Sequence, residues 1–98
     1  MRIKWTTTGS KDLDAVYAHI ASGSRHYANV FIERVKKRCE QIVAFPLSGQ
    51  MVPEYERTEI REFLVYSYRV LYVVSEETIF VLAIIHGAKP LPESIAID

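Results

Sequence analysis

With one cysteine, Cys39, the chain has no partner for an internal disulfide and no thiol set for a multi-cysteine metal site. Long apolar runs are missing too. Nowhere do about 18 apolar residues follow one another, and the opening MRIKWTTTGS holds no apolar core of the kind a secretion signal needs. A cytoplasmic protein without a membrane segment is the expectation. Nor is there an excess of either charge: twelve Lys and Arg face twelve Asp and Glu, and the pI is near 6.8. Proteins that live on nucleic-acid phosphates draw much of their affinity from counterion release and usually carry a basic surplus. Here any basic patch has to be local. Nothing in the composition calls for a metal or a cofactor.

What is present is enough apolar material for one core. Of 98 residues, 49% are hydrophobic, and a chain of this length is expected to form one domain, 1–98, burying roughly two-thirds of its unfolded surface. RIKWT alternates polar and apolar residues and reads as a strand. Thr7, Thr8 and Ser10 are N-cap candidates for a helix over about 11–21, whose apolar stripe is Leu13, Val16, Tyr17 and Ile20. Gly23, in SGS, is expected to end it through a left-handed turn. Ser24 then caps a longer helix, about 24–45, with Ala28, Phe31, Ile32, Val35, Cys39, Ile42 and Val43 on one side and Pro46 beyond its end. A two-residue break between amphipathic helices favours an antiparallel helical hairpin.

FPLSGQMVPEYERTE carries two prolines and a glycine and reads as loop. EIREFLVYS, YRVLYVVS and TIFVLAIIH are rich in β-branched and aromatic residues, separated by YSY and by the tight connection SEET. The last is apolar on both faces and belongs inside a sheet. The tail, 89–98, is expected to be irregular or flexible. The order β-α-α-β-β-β is α+β, with the helical hairpin on one face of a small antiparallel sheet. Leu13, Ile20, Phe31, Val35, Ile42, Val70, Tyr72, Val81 and Ala83 are the expected core or its immediate neighbours.

This order resembles that of the RelE/ParE toxin superfamily of bacterial type II toxin-antitoxin systems. KDLDAVYAHI is similar to the family's first helix, FPLSGQ to its Pro-x-x-Gly turn, YRVLYVV to its arginine-headed strand, and AIIHGAKP to its terminal His-plus-basic segment. The resemblance spans nearly the whole chain. It implies a toxin neutralised by a cognate antitoxin in a hetero-oligomer, as in plasmid stabilisation systems, and leaves two targets open. ParE-like members are implied to poison DNA gyrase by binding; RelE-like members are implied to cut mRNA on the ribosome.

The second activity needs a base for the 2′-hydroxyl, an acid for the leaving oxygen and cations around the phosphorane. Arg61, Arg69 and His86 are the candidates. By simple alternation Arg61 shares a face with Phe63 and Val65, Arg69 with Leu71 and Val73, and His86 with Ile84 and Leu82; whether those faces coincide depends on register. Each candidate also has a structural reading: Arg69 paired with a nearby Glu at the head of a strand, His86 as a hydrogen-bonded strand end. Cys39 reads as core packing, and Arg34, Lys36, Lys37 and Arg38 read mainly as a solvated helix face, with a partner-binding role as the alternative. The neutral charge and sparse acid-base set favour the gyrase-binding, ParE-like reading. The alternatives are a RelE-like endoribonuclease and a scaffold that keeps the fold without toxicity. Leu91, Ile95 and Ile97 in the tail, and Met51, Val52 and Tyr55 in the loop, have no periodic place in the core; they either dock on the body or form a binding surface.

Overall fold

A computed structural model describes residues 1–95. The elements are β1 (Arg2–Trp5), α1 (Thr7–Gly23), α2 (Arg25–Ala44), a 3-10 turn (Pro46–Ser48), β2 (Gln50–Met51), β3 (Ile60–Val65), β4 (Tyr68–Ser75) and β5 (Thr78–His86). The five strands form one sheet in the order β1-β5-β4-β3-β2. β3, β4 and β5 are the expected meander. β1 joins it parallel to β5, so the sheet is mixed rather than wholly antiparallel, and a two-residue β2 emerges from the segment read as loop. Both helices lie on one sheet face. No helix among the described residues is long and apolar enough to cross a membrane.

The helix ends differ from the sequence reading in instructive ways. α1 starts four residues earlier than expected because Thr6, the residue after β1, is its N-cap. The Thr6 hydroxyl accepts from the Gly9 N–H at 3.0 Å and donates to the Val81 and Leu82 carbonyls at 3.1 and 3.2 Å. One fully buried hydroxyl therefore ties the helix start to β5. Gly9 permits this approach: a Cβ there would stand 2.5 Å from the Val81 carbonyl oxygen. Gly23 does not turn left-handed, as no glycine has positive φ. Instead Ser24 adopts an extended conformation, ends α1, and caps α2 by accepting from the Tyr27 N–H.

Between sheet and helices lies the main core of Val16, Phe31, Val35, Ile42, Phe63, Val65, Val70, Tyr72, Ile79, Val81 and Ile84, with Leu13, Ile20 and Cys39 packed against it. Burial, helped by Glu40, pushes the Cys39 thiol up to about 11, so it stays protonated near neutrality. Ala83 belongs to a second core on the opposite face, with Val52, Ile60, Leu71, Val73 and Leu82. The loop and the tail close that face. Val52 is fully buried, Leu91 and Ile95 pack on the cluster, and the Tyr55 hydroxyl donates to the Pro92 carbonyl at 2.7 Å. Docking is thus the answer for most of these stray apolar residues; Met51 stays exposed, and Ile97 lies outside the described residues.

One irregularity sets the site. In the β4–β5 ladder Leu71 faces Ala83 but Tyr72 faces Val81, leaving Leu82 as an extra residue. Leu82 and Ala83 consequently both face the second core. Beyond this bulge the alternation is reversed, so Ile84 turns to the helices, Ile85 away, and His86 back towards α1. Alternation had grouped His86 with Leu82; the bulge puts them on opposite faces.

Candidate functional site

Arg61, Arg69 and His86 do not converge. Arg61 pairs with Tyr72, and Phe63 and Val65 of the same strand lie in the helix-side core, so its side chain starts on that face. Its guanidinium donates to the Thr58 carbonyl at 2.8 Å and the Gly49 carbonyl at 3.2 Å. His86 shares the face but pairs with Tyr68, four residues along β4 and on that strand's other side. The two backbones are on the order of 16 Å apart by strand geometry.

Arg69 is on the opposite face, with Leu71 and Val73. There it is held by two carboxylates. Its Nε and Nη2 donate to Glu62 at 2.6 and 2.8 Å, and its Nη1 and Nη2 to Glu54 at 2.7 and 2.9 Å. Glu62 is a β3 residue only 7% exposed, while Glu54 arrives from the loop over the second core. Bidentate pairs of this kind are the strong form of the interaction. They raise the Arg69 pKa further above its ordinary value, chiefly through Glu54 and then Glu62. The strand-heading arginine therefore clamps the 52–59 loop to the sheet, the structural role that the sequence offered as its alternative to phosphate binding.

Glu54 should report this clamp. Hydrogen bonding to Arg69, opposed by desolvation and helped by its own backbone and by Arg69's charge, lowers its pKa from 4.5 to about 2. A depressed folded-state pKa contributes stability that is complete above the unfolded value and lost as pH falls through the folded one. Wild type should accordingly exceed Glu54→Gln in stability above pH 4.5, and the gap should shrink towards pH 2. Denaturant titrations across that range measure it; a pH-independent gap would remove Glu54 from the clamp.

The Pro-x-x-Gly turn is anchored from below. The Tyr72 hydroxyl, on a fully buried side chain, donates to the Pro46 carbonyl at 2.7 Å and accepts from the Gly49 N–H at 3.0 Å. A Cβ on Gly49 would sit 2.5 Å from that hydroxyl, which explains the glycine. Tyr72→Phe should cost about 1–3 kcal/mol, because it strands a buried N–H and carbonyl. A loss below about 0.5 kcal/mol on chemical denaturation would mean that other partners replace the hydroxyl.

His86 lies in an open groove of about 530 Å³ between α1 and β5, shared with Asp12, His19, Tyr68 and Lys89. Its Nδ1 accepts from the Ala88 N–H at 3.2 Å, and its ring meets Tyr68 edge-on at 5.3 Å. Asp12 is occupied: its Oδ2 accepts from the Ile84 N–H at 3.0 Å, on the stretch of β5 that β1 no longer covers. The sequence reading missed His19 as a neighbour of His86; its place seven residues after Asp12, on one face of α1, was the available signal. Among the described residues no three His, Cys, Asp or Glu side chains gather as a metal site would require.

The comparisons with known proteins agree with this architecture. A search of curated protein sequences finds no match. Among solved structures, the "Chromosomal ParDE TA system from P. aeruginosa" is similar, with 21% identity and a TM-score of 0.71 over 88% of this chain and 95% of that one. At that identity the likeness speaks for the fold. The family model described as "ParE toxin of type II toxin-antitoxin system, parDE" matches residues 3–91. That match takes in both helices, the anchored turn, β2 to β5 and all of β1 but Arg2, and the chain belongs to the ParE toxin family of type II toxin-antitoxin systems.

Proposed function

We propose that this toxin acts by binding, with DNA gyrase as its target, and that a cognate antitoxin neutralises it in a hetero-oligomer. The observation that carries the reading is the engagement of Arg69: its donors are taken by Glu54 and Glu62 on the face away from Arg61 and His86. A phosphorane needs its cations and proton carriers within hydrogen-bond reach of one another's substrate atoms. The family membership supports the toxin class, and the neutral charge supports a protein rather than a nucleic-acid target.

The groove around His86 favours a second reading, the ribosome-dependent endoribonuclease, because His86, His19 and Lys89 border one cavity. One experiment separates the two: purified toxin in a gyrase supercoiling assay and a ribosome-bound mRNA cleavage assay, with circular dichroism to monitor folding. The expected result is inhibited supercoiling, no site-specific cuts, and a modest loss for His86→Ala. Removal of a general acid or base would instead lower cleavage by about 10²- to 10⁴-fold with the fold intact. Reproducible A-site cuts that vanish in a folded His86→Ala protein would replace the gyrase reading with the nuclease one.

A further inference from the structure

The charge of this chain balances overall but not locally. α2 holds five of the twelve Lys and Arg and only two of the twelve Asp and Glu, so it carries a formal +3 and the remainder of the chain −3. Arg34 lies three residues before Lys37 and four before Arg38, which makes them neighbours on one helix face. Like charges at that spacing repel and destabilise a helix. No carboxylate offsets them: among the described residues none of the three is in an ion pair. Two acids stand close by. Glu33 borders a hollow with Arg34 and Lys37 yet pairs with neither, and Glu62 is already held by Arg69.

The three cations line a furrow rather than a flat face. Hollows of about 350, 200 and 280 Å³ follow one another along α2, the first two sharing Arg34 and Lys37, the last two Arg38 and Leu64. His26 and Asn29 stand at one end, Ser48 and Gln50 at the other. From His26 to Arg38 the helix rises about 18 Å, the span of about five phosphates along one strand of duplex DNA. Aromatic rings hold the guanidiniums from one side: Arg34 lies 5.2 Å over the Tyr66 ring and Arg38 5.0 Å over that of Phe63. Such contacts steady an arginine while leaving its N–H groups for a ligand. Tyr66 is itself fixed, its hydroxyl donating to the Tyr27 carbonyl and its ring packing on Phe31. The Arg38 Nε is buried without a hydrogen-bond partner, an unmet donor on the residue where two of the hollows join.

We propose that this furrow seats the sugar-phosphate backbone of the DNA that gyrase holds, so that the toxin's partner is the enzyme–DNA complex rather than the enzyme alone. This rests on the gyrase reading above and adds a second component to the target. Arg34, Lys37 and Arg38 meet successive phosphates. His26, Asn29 and Gln50 supply further donors to phosphate and sugar oxygens, contacts that position a protein on a duplex without reading its sequence. An acidic protein surface would match the charge but not the run: its carboxylates sit on scattered side chains, whereas phosphates recur at a fixed interval along a line. The chain's zero net charge agrees with this arrangement. Its overall field does not carry it to DNA, so gyrase provides the encounter, and the furrow acts at short range, where walls of one sign concentrate the field.

The test measures binding of full-length toxin to purified gyrase alone, to gyrase with relaxed plasmid, and to a short labelled duplex alone. Arg34→Gln/Lys37→Gln removes two exposed cations of the furrow, and Lys11→Gln/Lys36→Gln removes two exposed cations outside it as a control for net charge. Melting curves of the free variants check folding. DNA is expected to raise wild-type affinity for gyrase at least tenfold; the furrow pair loses that gain and the control pair keeps it. The duplex alone should bind weakly at low salt, with a salt slope lowered by about two in the furrow pair. Equal affinity for gyrase with and without DNA would overturn the furrow site and leave the gyrase reading standing. A furrow pair that keeps the DNA-dependent gain but loses affinity for gyrase alone would replace DNA with an acidic protein surface. If wild type binds gyrase in neither state, the gyrase reading fails and the duplex decides the furrow by itself: no binding at low salt, or binding unchanged in the furrow pair, overturns it.

Discussion

Arg69→Ala is expected to lower folding stability by about 3–5 kcal/mol, because it leaves Glu62 buried without its counter-charge. The Arg69 side chain is 13% exposed and that of Glu62 9%, so water can do little to replace the missing guanidinium. Glu54 would lose its anchor as well, but it is 43% exposed and can be rehydrated where it stands. The cost therefore resides in Glu62. Replacing both buried partners with apolar groups of similar volume, Arg69→Met with Glu62→Leu, should return most of the stability, since paired removal eliminates the stranded charge. Equilibrium denaturation of the single and double variants measures this. A single variant within about 0.5 kcal/mol of wild type would mean that the clamp is dispensable. The result also affects interpretation of toxicity assays: loss of activity in Arg69→Ala cells would report unfolding before it reported chemistry.

Phe31→Ala should cost about 3–5 kcal/mol, a large share of the 5–15 kcal/mol typical of a whole domain. The side chain is fully buried where α2 meets the sheet, with the Tyr68 ring edge-on at 5.7 Å and the Tyr66 ring at 5.9 Å. Truncation removes both contacts and opens a cavity between elements that cannot close freely, because Ser24 and the α1–β5 clamp at Thr6 fix the position of the hairpin. A lowered denaturation midpoint with an unchanged slope is the expected signature. A loss under about 1 kcal/mol would show that the helices collapse onto the gap. Because Phe31 also backs Tyr66, the same variant should loosen the hairpin turn at the end of the β3 edge, visible as faster amide exchange there.

Much of the architecture was legible before any coordinates. Apolar residues at three- and four-residue steps marked α1 and α2, and β-branched runs marked β3 to β5. Ser24 and Pro46 stood at the ends of α2 as cap and stop. Even the Pro-x-x-Gly turn could be picked out, although its reason, the Tyr72 hydroxyl beneath Gly49, lies 23 residues away in the chain. These features are local: capping, helical period and turn chemistry act between neighbours, so the chain states them directly. The start of α1 was misplaced because Thr6 caps the helix through a hydroxyl that also reaches Val81 and Leu82, and nothing near Thr6 advertises those partners. The parallel pairing of β1 with β5 was hidden for the same reason.

The face on which each candidate residue stands was decided only in three dimensions. Ile79 to Ile85 is apolar at every position, so alternation along β5 has no visible phase, and a bulge at Leu82 leaves no mark in the residue pattern. Yet that one extra residue turns His86 towards α1 and its groove. Arg69 likewise acquires its role from Glu54, fifteen residues earlier, once the loop folds across the second core. Strand identity follows from side-chain shape and period, which the sequence carries; register, bulges and charge partners depend on which distant backbone lies alongside, and that is settled by packing.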